Sequence, residues 1–130
     1  MQIEGWSRDA YPREACGLLL GRVCGEVAEI AAVRRAHNLS SRHDRFEVDP
    51  GDYLAAEYES HELGLDVVGV WHSHPDRAAV LSAHDRASAS PAWCYLIAST
   101  QAGGVSSLRC WRVTEALASV ELNVSSDGRD

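Results

Sequence analysis

Asp66-Val67-Val68-Gly69-Val70-Trp71-His72-Ser73-His74-Pro75 is the stretch on which the fold turns. After Asp66 the run Val67 to Trp71 is short, apolar and rich in β-branched valine, which predicts a core strand. Carried forward along that strand, His72 and His74 stand two residues apart and so point to the same face. Two imidazoles aimed together suit a metal ion, zinc above all. Pro75 cannot continue a sheet interior, so the strand stops there. Further on, Ser82-Ala83-His84-Asp85 reads as a helix start, with Ser82 as its cap and Asp85 in the first turn. Asp85 can supply a third ligand and leave a fourth position for water, the arrangement of a catalytic zinc rather than a structural one. Each piece alone is ordinary. The conjunction of ligand types, spacing and context is what points to a metal site.

Outward from this stretch, the same logic orders the rest of the chain. An amphipathic helix is expected over residues 3–10, ending before Pro12. Residues 16–22 read as a strand, Gly25 as a turn and 26–34 as its hairpin partner. Residues 45–48 alternate as a further short strand. Asp49 caps a helix with Pro50 at its first position, running to about residue 63, where Gly64 ends it. After the histidine strand come a helix over 82–90, strands over 93–99 and 105–113 around Gly103-Gly104, and a last strand over 118–124. Residues 125–130 form a polar tail, expected to fray. Strands interleaved with helices indicate a layered α/β/α domain around a mixed sheet, a single domain over residues 1–124.

Composition narrows the function. A chain of 130 residues with 45% hydrophobic residues can build one real core. A net charge of -7 and a pI near 5.3 argue against a nucleic acid as partner. Every basic residue is arginine, which excludes Schiff-base and lysine-base chemistry. No secretory leader pattern and no apolar run of membrane-spanning length is read, so a cytoplasmic protein with no membrane partner is expected. Cys16, Cys24, Cys94 and Cys110 form no C-x2-C pair and are expected as reduced thiols, three of them inside apolar strands. His61-Glu62 fails as a zincin helix because position 65 is Leu. No P-loop, dinucleotide fingerprint, G-x-S-x-G elbow or zinc-deaminase signature exists. His84 is expected to face away from Ser82 and Asp85 as a surface residue, and His37 and His43 carry no spacing signal.

The pattern H-x-H-x7-S-x2-D resembles the signature of the JAMM (MPN+) zinc metalloproteases, which pair it with an upstream glutamate. Glu14 matches that glutamate, in Tyr11-Pro12-Arg13-Glu14-Ala15-Cys16-Gly17-Leu18-Leu19-Leu20-Gly21. This string is similar to the P-x-E-x-C-G-L-L-x-G segment of the short prokaryotic members, and the resemblance extends from Glu14 to the last apolar strand. It implies a three-layer sandwich akin to cytidine deaminases, and one zinc per chain held by His72, His74 and Asp85. Glu14 is then the general base, taking a proton from water and passing it to the leaving amine. Ser82 is the donor to the oxyanion, beside its competing role as a plain helix cap. A nucleophilic role for Cys16 is the minor alternative.

The resemblance also implies a substrate. Eukaryotic deubiquitinases of the family carry insertions that grip two ubiquitins, and this chain passes almost straight from the Ser82 helix into the strand at 93–99. The short prokaryotic relatives act on ubiquitin-like sulfur-carrier proteins ending in Gly-Gly, and such a carrier is the expected partner. A zinc hydrolase of other small peptides or amides and a non-catalytic MPN scaffold are the alternatives. Pathway and oligomeric state are not written in the sequence.

Overall fold

In the computed structural model, which describes residues 2–125, the order is α1 (Gln2–Ala10), β1 (Cys16–Cys24), β2 (Val27–Ala36), α2 (Pro50–Glu62), β3 (Asp66–Pro75), α3 (Ala83–Ser88), β4 (Cys94–Gln101), β5 (Gly104–Val113) and β6 (Ser119–Ser125). The apolar runs of β1, β3 and β4 are explained by burial on both faces. Leu19, Trp71, Leu96 and Ala98 enter one apolar cluster, while Leu18, Leu20, Val70 and Ile97 enter a second on the opposite face. The first cluster is covered by α1, where Ile3 is fully buried and Trp6 stacks on Trp71 with ring centroids 5.6 Å apart. Ala56 and Tyr53 of α2 cover the second. The start of α2 follows the expected cap: Asp49 accepts from Gly51 N at 2.8 Å, with Pro50 first in the helix.

The sheet is mixed, as expected. β1 pairs antiparallel with β2 and β3, β3 runs parallel to β4, and β5 is antiparallel to both β4 and β6. The three-layer sandwich needs correction, because the ladder closes on itself as a barrel in the order β1-β2-β6-β5-β4-β3. Closure rests on a short parallel contact in which Val27, Ala28 and Glu29 meet Asn123, Val124 and Ser125. Register shifts at Leu20/Gly21, Leu19/Leu20 and Ser99/Thr100 mark irregularities that add bend and twist, curling the sheet until its edges meet.

A second correction concerns residues 45–48. They form no strand; the region contributes a single bridge between Asn38 and Val48. Both edges of the ladder are already taken, and a side-chain amide supplies the bonding instead. Asn38 Oδ1 accepts from Ser40 N and Glu47 N, each at 2.9 Å, and its Nδ2 donates to Arg45 O at 3.2 Å. α3 is also shorter than expected, ending at Ser88 rather than residue 90. Of the expected tail, Ser125 belongs to β6 and residues 126–130 lie outside the described residues. Gly17 marks a close approach: a Cβ there would lie 1.9 Å from Arg34 O, which accepts the Trp71 indole N–H at 3.0 Å. Among the described residues, no helix is long and apolar enough to cross a membrane.

Candidate active site

β3 delivers His72 and His74 to one face, as the two-residue spacing requires, and both are buried. Ser73, between them, points the other way. Its Oγ accepts from Ala15 N at 2.8 Å and its own N–H donates to Ala15 O at 3.0 Å, which fixes the residue leading into β1. Glu14 therefore arrives beside His72, its Oε1 3.2 Å from His72 Nδ1. Asn38 Nδ2 donates to the Glu14 carbonyl at 3.0 Å and holds the backbone from the other side. Ligand atoms of Glu14, His72 and His74 all lie within 4.8 Å of one another.

Asp85 reaches the cluster through the helix start. Ser82 Oγ accepts from Asp85 N at 3.0 Å, and Asp85 Oδ2 accepts from Ser82 N at 2.9 Å, a reciprocal capping box. The same Oδ2 lies 3.0 Å from His74 Nε2. Burial pushes the Asp85 carboxyl up, but the His74 hydrogen bond, the His72 charge and the Ser82 N–H outweigh it. Together they hold the carboxyl well below the usual carboxylate range. The structure thus brings together all five residues singled out from the sequence, with one shift of emphasis. Glu14 sits within the tight cluster of possible ligand atoms, and Asp85 touches it through His74. Ser82 stands as the helix cap.

The donor set fits a divalent cation. His72 Nε2 is buried without a hydrogen-bond partner, one of two such side-chain atoms among the described residues. Orphaned buried nitrogen is costly unless something binds it. His74 Nδ1 lies 2.9 Å from Ala78 O, a bond in which it can only donate. In the neutral imidazole this leaves the Nε2 lone pair facing the Asp85 carboxylate, a contact that requires a shared cation or proton. Two imidazoles and carboxylates match zinc's preferences.

Several neighbours were invisible in the sequence. Arg77 Nη2 donates to Glu14 Oε2 at 2.6 Å; it falls in the unspecified spacer between His74 and Ser82, where no residue type is diagnostic. Phe46 stacks on His72 with centroids 4.3 Å apart. A cavity of ≈ 480 Å³ opens beside His72 and Asp85, walled by Phe46, Tyr53, Trp93 and Tyr95. His84 is exposed, as expected of a surface residue, but it does not face away: one short turn of helix presents it and Asp85 to this same cavity. A second cluster of His37, Asp49 and Asp52 is accounted for by structure, with Asp49 capping α2 and Asp52 bonding exposed His37.

Cys16 is 1% exposed, and its thiol is pushed up to about 12, first by burial and then by the charges of Glu14 and Asp52 against Arg35. A neutral thiol at physiological pH is a poor nucleophile. Cys16→Ala is therefore expected to keep turnover near wild type. Native protein treated with iodoacetamide should be labelled at exposed Cys24 and spared at Cys16, as peptide mass mapping would read.

Comparison with known proteins places this geometry in a family. The family described as prokaryotic homologs of the JAB domain matches residues 2–114. A desampylase from Haloferax volcanii is 34% identical over 90 residues, covering 68% of this chain and 63% of the relative, so the match spans less than two thirds of that relative's length. The solution structure of a protein from Desulfitobacterium hafniense superposes with a TM-score of 0.80 at 29% identity, over 95% of this chain and 84% of that one. The crystal structure of a JAB1/MPN domain protein from Archaeoglobus fulgidus shares the fold, with a TM-score of 0.52 at 20% identity over 96% of this chain and 92% of that one.

Proposed function

Because this chain belongs to the family of prokaryotic homologs of the JAB domain, we propose that it is a zinc-dependent JAMM-type hydrolase that cleaves the amide bond after the C-terminal Gly-Gly of a ubiquitin-like sulfur-carrier protein. The observation that carries the reading is the buried cluster of Glu14, His72 and His74, with the unpartnered His72 Nε2 in it. The likeness to a relative named desampylase supports it.

In this reading His72, His74 and Asp85 hold the zinc. When bound, zinc polarises a carbonyl and brings water's pKa toward neutrality. Glu14 takes the proton from the attacking water and passes it to the departing amine. The Ser82 hydroxyl accepts from Asp85 N through its oxygen and has its own proton free for the developing oxyanion. Such a donor is worth about 3 kcal/mol in the transition state, against about 1 kcal/mol for a cap alone. The aromatic walls of the cavity take up the tail and exclude water, and glycines allow an extended backbone to come close.

The test is a substrate panel read by intact-mass spectrometry. A carrier extended past its Gly-Gly is expected to lose everything after the second glycine, and linked ubiquitin chains should be cut poorly. Replacing the terminal glycine by valine should stop cleavage by steric blocking. Cleavage of short unrelated peptides with the carrier untouched would favour the small-amide hydrolase. Binding of the carrier without cleavage, on zinc-loaded protein, would favour a scaffold.

A further inference from the structure

The first four residues after β3, Asp76 to Ala79, are each fastened to the strands around them. Asp76, at φ 55, donates its N–H to Thr100 O at 2.7 Å, and its carboxylate accepts from Tyr11 Oη at 2.8 and 3.0 Å. The next three carbonyls each accept from a different strand. Arg77 O takes the Ser99 hydroxyl of β4, Ala78 O takes His74 Nδ1 of β3, and Ala79 O takes Trp111 Nε1 of β5. A connection of this kind ordinarily carries few such bonds. Here it fixes the point from which the Arg77 side chain starts.

That side chain ends on Glu14. The Arg77 side chain is 36% exposed whereas that of Glu14 is 1% exposed, so this pair is unlike a solvated surface bridge. The two carboxylate oxygens are divided: Oε1 faces His72 Nδ1 and Oε2 accepts from Arg77. The terminal torsion of a glutamate is broad, and little else among these contacts would stop it turning. We infer that Arg77 is a positioning residue, whose guanidinium holds one oxygen of Glu14 so that the other stays aimed into the histidine cluster. The inference rests on the assignment of Glu14 as the base. A base displaced by even an ångström loses most of its advantage, about 100-fold. Lysine keeps the charge but not the planar fork, so it restores the interaction in part.

The test compares Arg77→Ala and Arg77→Lys with wild type in the full chain loaded with zinc. The substrate is whichever of a carrier amide or a short peptide amide the wild type cleaves. For Arg77→Ala, kcat is expected to fall about 10- to 100-fold, with KM, metal content and melting temperature held. Arg77→Lys should recover part of the loss. Ethylguanidinium should raise kcat of the alanine variant and leave wild type alone, since the arginine site is open to solvent. Unchanged kcat in Arg77→Ala overturns the inference. So does a joint loss of kcat, metal and melting temperature that neither lysine nor ethylguanidinium relieves, which marks a purely structural contact. Glu14→Gln separates the two levels: an active Glu14→Gln overturns the base assignment itself, whereas an inactive one beside a fully active Arg77→Ala overturns only the role of Arg77. Wild type that cleaves neither substrate overturns both.

Discussion

Glu14→Gln is expected to lower turnover by about 100- to 10,000-fold while the protein keeps its metal and its fold. The substitution preserves size and leaves an amide oxygen for Arg77 to bond, so the packing around a 3% exposed residue is little disturbed. What it removes is the ability to accept a proton. In the structure this carboxylate lies against His72 and the Glu14 backbone carbonyl is held by Asn38, so the glutamine side chain occupies the same place without the basic oxygen. Rates measured under saturating substrate, beside metal analysis of the same preparation, decide the matter. Near wild-type turnover would mean that another residue is the base.

His74→Ala should lose both metal and activity. Its ring contributes Nε2 to the cluster and bonds Ala78 O through Nδ1, so the substitution opens the site and unpins the following loop together. Asp85, whose side chain is 8% exposed, is left without its histidine. A buried acceptor that loses its partner costs about 1–3 kcal/mol, and Asp85 then keeps only the Ser82 N–H, so a lowered melting temperature is expected as well. Elemental analysis of wild type and variant checks the assignment, and equal zinc in both would sink it. His84→Ala is the matched control for metal content and melting temperature, because His84 is exposed and lies outside the cluster of possible ligand atoms.

What the sequence revealed and what it hid follow from the range of each interaction. The histidine strand, the Asp49-Pro50 helix start and the Ser82–Asp85 capping box are set within a few residues, so spacing encodes them directly. The alternation of Phe46 and Val48 was genuine, since both pack on the second apolar cluster, yet it produced no ladder because no sheet edge was free to receive one. Periodicity reports which faces are buried and is silent on whether two edges meet, and barrel closure depends on three residue pairs nearly a hundred positions apart. Arg77 lies 63 residues from Glu14, and Asn38 lies 24 from it. An asparagine in a polar connection and an arginine in a spacer look the same whether or not they hold a catalytic group.

Stripping the purified protein with a chelator and returning zinc by titration shows whether cleavage depends on the metal. Cleavage of a carrier extended past its Gly-Gly, followed by intact mass, should vanish on stripping. It should return in proportion to added zinc and level off at one equivalent per chain. Full cleavage by protein shown by elemental analysis to be free of metal would contradict the account.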